Sequence, residues 1–187
     1  MLTSKTKIKF QNELSKKIYK NGALLNYQTD GSSGIDLKSV SICEYDKDTE
    51  IVLINDDSEK KMFTTDGNKT LRYAKEFALE PGQRAMIKVG FCAAVPKGLE
   101  IQIRSRSGLS WKSGVMVLNS PGTIDSDYRG EIGALVINTS QKTLLITQGL
   151  RIAQMIIAPI SVSEIEAVDE LDKTERNTGG FGSTGLK

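Results

Sequence analysis

The sequence predicts an all-β fold of sandwich or barrel-like type. Short apolar runs with period two recur along the chain. Turn signals at Pro81-Gly82, Pro96-Lys97-Gly98, Pro121-Gly122 and Gln148-Gly149 separate them, and helical periodicity is scarce. Many short strands with regular turns bury their apolar faces by packing sheet on sheet or closing a barrel.

In chain order, a short helix is expected near Gln11 to Lys20. IDLKSVSI from Ile35 reads as a strand. Glu44 to Glu76 is dense in charge around one apolar island, IVLI at Ile51 to Ile54, and reads as a hairpin arm or long loop. RAMIKVGF from Arg84 and LEIQIRS from Leu99 are strands, and Ser107 to Lys112 forms a helical turn or two. EIGALVIN from Glu131 and KTLLIT from Lys142 complete the alternating runs, and RIAQMII from Arg151 starts another strand. The glycine-rich end from Glu175 is flexible unless something holds it.

Composition narrows the chemistry. The 187 residues include 25 basic and 23 acidic side chains, for a net charge of +2. That balance gives no electrostatic case for a dedicated nucleic-acid binder. There is no histidine, which excludes Ser-His-Asp and Cys-His catalysis, a histidine base and His-ligated zinc. Acid–base work falls to Asp, Glu, Lys or Tyr, or to a metal held by oxygen ligands. Cys43 and Cys92 stand far apart and read as reduced residues of a cytoplasmic protein. No apolar run reaches the roughly 18 residues of a membrane span, and the start lacks a secretory core; no membrane partner is expected.

Five stretches carry candidate chemistry. SSGIDLKS sets Asp36 beside Gly34 at a strand start. RSRSGLS follows a strand, where Ser107 or Ser110 could cap a short helix and Arg106 and Ser107 face an anion; solvated arginines at a strand end are an equal alternative. NSPGTIDSDYRGE crowds a turn with binding-type residues. There Asn119 can read a nucleobase edge, and Asp125 and Asp127 would share a side if extended. A carboxylate near phosphate can act as general base on water, while an ordinary hairpin with Asx turns is the competing reading. RIAQMII sets Arg151 and Gln154 at a strand start; a buried Asp–Arg pair or a strand-end amide explains such residues as well. In the tail, Gly180-x-Gly182-x-x-Gly185 is formally a dinucleotide fingerprint, but no helix can follow it. A phosphate clamp of backbone N–H groups, Ser183, Thr184 and Arg176, with Phe181 stacking on a ring, competes with plain disorder.

Together, GSSGIDLKS, RSRSGLS, NSPGTIDSDYRGE, GLRIAQMI and ERNTGGFGSTG resemble the five ordered motifs of the trimeric dUTPase family. Ser33 stands where that family usually has Ala. The resemblance implies a jelly-roll-like subunit over residues 1–174, a lid over 175–187, and a homotrimer with shared active sites. It implies Mg2+-dependent hydrolysis of dUTP to dUMP and pyrophosphate, which limits uracil in DNA and supplies dUMP for dTMP synthesis. Asp125 matches the base that activates water for attack at the α-phosphorus. Asn119 and the loop from Gly122 match the uracil reader, Ile124 the position meeting a 5-methyl group, and Tyr128 the ring on deoxyribose. Arg106, Ser107, Gly108 and Gln154 match phosphate binders, and Asp36 an acid acting on the metal through water. Arg176, Phe181, Gly182, Ser183 and Thr184 match the closing tail, and Arg151 a support for the aspartate's loop. The 44 residues between Asp36 and Pro81 are more than the family pattern leads one to expect, and the arm at 44–76 is open to an unknown protein partner. A dCTP deaminase-like enzyme and a nucleotide-switched regulator are the alternatives.

Overall fold

The computed structural model describes residues 4–44, 49–62 and 70–180. From the N-terminus come β1 (Lys7–Phe10), α1 (Glu13–Ile18), β2 (Ile35–Lys38), β3 (Ser41–Glu44), β4 (Thr49–Leu53), a 3-10 segment (Asp57–Met62), β5 (Thr70–Ala74) and β6 (Glu76–Leu79). Then follow β7 (Arg84–Ala94), β8 (Leu99–Arg104), α2 (Ser107–Ser113), β9 (Val115–Val117), β10 (Gly122–Ile124), β11 (Glu131–Asn138), β12 (Leu144–Thr147) and β13 (Arg151–Pro159). Strands dominate, as the alternating runs require.

One sheet has seven strands, in order β5-β4-β3-β7-β11-β9 with β1 added on β7, and a second has four, in order β10-β8-β13-β2. β12 and β6 form a separate two-stranded ribbon. Alternation places Ile132, Ala134 and Val136 of β11 inward from one sheet and Ile101 and Ile103 of β8 from the other, all in one buried cluster. Each of these isoleucines and valines contributes about 1.5–3 kcal/mol by leaving water.

Helix α1 is short because its local signals are. Asn12 caps it by accepting from Ser15 N–H at 2.9 Å, Glu13 sits in the first turn and Lys16 and Lys17 in the last. Its following residue, Tyr19, is fully buried. The ring meets Phe91 edge-on at 5.4 Å, and its hydroxyl exchanges hydrogen bonds with the Lys38 backbone.

One expectation changes here and another is refined. The run from Ile35 is two strands in different sheets. Buried Ser39 donates its N–H to Leu150 O on one side, while Val40 donates to Lys88 O on the other; period-two patterning cannot register such a change of partner. The charged region, expected as a hairpin arm or long loop, begins as a hairpin, and over its described residues it joins the large sheet rather than forming a long loop. β4 pairs antiparallel with β3, β5 lies parallel to β4, and Ile51 to Ile54 are buried. The stretch lies at the edge of the large sheet, and its consecutive buried residues show that β4 is covered on both faces there.

Candidate active site

Adjacent strands β2, β13 and β8 assemble the first cluster. Gln154 pairs with Asp36 on one side and Arg104 on the other, so three separate sequence stretches meet by register alone. The Asp36 carboxylate, 13% exposed, accepts from Arg106 Nε at 2.7 Å and from Arg151 Nη1 at 3.1 Å. Arg106 also donates to Arg151 O at 3.2 Å. One anion thus holds two guanidinium groups side by side, and their remaining donors are left for another anion. Gln154 donates to Ser105 O at 2.9 Å, and a Cβ at Gly34 would overlap its amide; the glycine is there for close approach.

Arg106 itself is the N-cap of α2 and makes no side-chain capping bond. Neither Ser107 nor Ser110 caps the helix, and Ser110 instead donates to Val115 O at 3.1 Å. Ser107 and Gly108 are exposed in the first turn, where backbone N–H groups lack helical partners. Arg106, Gly108, Lys112 and Arg151 line a cavity of about 350 Å³ with Leu109, Ser113 and Leu150. Three cations against the single carboxylate behind them make it an anion cradle.

The second cluster surrounds a larger cavity, about 610 Å³, lined by Asp125, Ser126, Asp127, Arg129, Lys97 and Glu100, with Val95, Leu99 and Ile160. Asp125 is exposed at the end of β10. Its carbonyl accepts from Tyr128 N–H at 3.2 Å, so residues 125–128 turn rather than extend, and Ser126 shares the cavity with both aspartates. The loop is no ordinary hairpin either, because β10 and β11 belong to different sheets. Ile124 is half-buried, and the Asn119 amide packs against Gly122. Tyr128 is 45% exposed, its ring against Gly130 and its hydroxyl on Glu131 O at 3.3 Å.

Register keeps the two clusters apart within one chain. Ile124 pairs with Ile101, but Gln154 pairs with Arg104, three residues further along β8. That is about 10 Å of strand, with Asp125 one residue beyond at one end and Arg106 two beyond at the other. Within one chain Arg151 binds Asp36 and belongs to the first cluster, away from the Asp125 loop. In the tail, Arg176 Nε donates to Gly179 O at 2.7 Å, while Phe181, Gly182, Ser183 and Thr184 lie outside the described residues.

At Asp36 the expectation is a metal reached through water. Each of its oxygens already accepts from an arginine, which leaves room for the expected role through water rather than for direct ligation of Mg2+. Among the described residues, no group of three Cys, Asp or Glu side chains is placed to hold a metal ion. Sequence reasoning missed Lys97, Glu100, Lys112 and Arg129 as lining residues, since isolated surface charges carry no motif. Among the described residues no helix is long and apolar enough to cross a membrane.

Comparisons with known proteins define the class. The description "dUTPase" belongs to a family model that matches residues 70–185. The deoxyuridine 5'-triphosphate nucleotidohydrolase of Hydrogenobaculum sp. is 41% identical over 174 residues, covering 93% of this chain and 98% of that one. The enzyme of the same name from Orientia tsutsugamushi is 54% identical over 114 residues, covering 61% and 77%. The chain belongs to the dUTPase family. Solved structures agree on the fold: the dUTPase of Staphylococcus bacteriophage 80alpha with dUpNHpp has a TM-score of 0.66 at 22% identity, covering 98% of this chain and 100% of that one. The dUTPase of phage phi11 of S. aureus, described with a structural Mg(II) ion, has a TM-score of 0.62 at 19% identity, covering 90% and 99%.

Proposed function

We propose that the chain hydrolyses dUTP to dUMP and pyrophosphate, by attack of an Asp125-activated water at the α-phosphorus. The near end-to-end match to a named nucleotidohydrolase carries this reading. The anion cradle supports it chemically: Arg106, Arg151, Gln154 and the N–H groups at Ser107 and Gly108 suit a triphosphate. Asp36 orients both arginines.

Phosphoryl transfer needs positioning and charge stabilisation more than covalent help. Asp125 faces an open cavity where its carboxylate can take a proton from water. Asn119 pairs with uracil, and leaving that amide unpaired against another base costs about 1–3 kcal/mol. Ile124 crowds a 5-methyl group, and Tyr128 stacks on deoxyribose. When bound with the substrate, magnesium would supply charge neutralisation beside Arg106, Arg151 and Gln154, and Asp36, paired with both arginines, would act on it only through water.

The separation of Asp125 from Arg106 supports a homotrimer in which one subunit's base meets another's cradle. Residues 1–174 then form the catalytic domain. Residues 175–187, with Arg176, Phe181, Gly182, Ser183 and Thr184, close over a neighbour's site. Cys43 and Cys92 are in no disulfide, which suits a cytoplasmic setting, where the reaction limits uracil in DNA and provides dUMP. The test is pyrophosphate release from dUTP, dTTP, dCTP and UTP, with and without magnesium. Selective release from dUTP is expected; ammonia from dCTP would establish a deaminase instead.

A further inference from the structure

We infer that Glu59, acting through Gln148, is a positioning residue for the phosphate cradle, which gives the charged segment a role in catalysis. This rests on the dUTP-hydrolysing reading above. Glu59 is fully buried, although it sits in a charge-dense 3-10 segment. One carboxylate oxygen accepts from Lys17 Nζ at 2.7 Å. The other accepts from Asn55 N–H at 2.8 Å and Gln148 Nε2 at 2.9 Å. Three donors converge on it, so an acceptor-only group is required and an amide would set donor against donor.

Gln148 connects this anchor to the site. Its amide also donates to Leu53 O at 3.0 Å, tying it to the buried island of β4. It opens the turn that leads, three residues later, into Arg151 at the start of β13. The opposite side of that turn is held by Ser39, whose N–H and hydroxyl bond Leu150 O at 2.9 and 3.3 Å. Ser39 lies three residues after Asp36. The turn is thus clamped between the strand that carries Asp36 and the inserted segment, which fixes where Arg151 leaves the backbone. Arg151 O in turn receives Arg106, so a displaced turn misplaces both guanidinium groups.

Gln148→Met removes the clamp and leaves the Lys17 and Asn55 bonds to Glu59 intact; Gln148→Glu severs the same bonds at unchanged shape. Initial rates of pyrophosphate release, measured well below each melting transition, should show KM for dUTP raised about tenfold and kcat lowered as well. Lys17→Met removes a Glu59 partner remote from the turn, and should lower Tm while leaving KM unchanged. KM unchanged in both Gln148 variants overturns the inference, as does a Lys17→Met rise in KM equal to theirs. A wild type that releases no pyrophosphate from dUTP overturns the functional reading and this inference together.

Discussion

At the scale of single residues, function rests on a few groups whose surroundings differ. Asp125 is exposed beside a cavity with two cations and two other carboxylates, whereas Asp36 is committed to two arginines. Asp125→Asn should lower kcat by about 100-fold or more while nucleotide binding survives; single-turnover hydrolysis and equilibrium binding check both. Gly34→Ala should displace the Gln154 amide that occupies the space of its Cβ, raising KM about tenfold with kcat little changed. Asn119, Asp125 and Arg106 were legible as candidates because polar residues crowd turns there. Their partners were not, since the Asp36 ion pairs span 70 and 115 residues of sequence.

At the scale of elements, the charged segment is an integral edge of the large sheet, and pH should reveal its anchor. Burial alone would raise the Glu59 carboxyl, but Lys17, Asn55 N–H and Gln148 outweigh it and hold it below its ordinary range. Its stabilisation is complete above the unfolded value of about 4.3 and is lost as pH falls through the lower folded value. Glu59→Gln should cost about 2 kcal/mol at neutral pH, and the difference in Tm from wild type should shrink as pH falls below about 4. Glu131 acts in the opposite sense. Burial raises it despite Lys88 and the Gly90 N–H, so its contribution falls as pH rises from about 4.3 through the higher folded value. Glu131→Gln should therefore gain Tm relative to wild type across that interval, which thermal melts at several pH values would register.

At the scale of the whole molecule, the two clusters lie on opposite ends of the small sheet, and the proposed site shared between subunits can be tested on that separation. Arg106→Ala and Asp125→Asn should each be nearly inactive alone. Refolded together in equal amounts as closed trimers, they should regain about a quarter of wild-type sites, because one intact cradle can meet one intact base. No recovery in the mixture would place both groups in one chain's site. A chain stopped after Thr174 should lose turnover and keep its Tm, since residues 175–179 are exposed or only half-buried and pack no core; a collapse of Tm would assign the tail a structural role.

By itself the sequence determined the all-β class, because period-two alternation and turn chemistry are local properties. It also determined the family, because five ordered stretches survive in linear order. It determined the absence of histidine chemistry, because the chain holds no histidine. Only the tertiary structure decided that Ser39 switches the chain between sheets, that Asp36 grips Arg106 and Arg151, and that the charged segment is anchored by buried Glu59. Those outcomes depend on register between distant strands and on which charges lose their water, and neither is encoded in any short window.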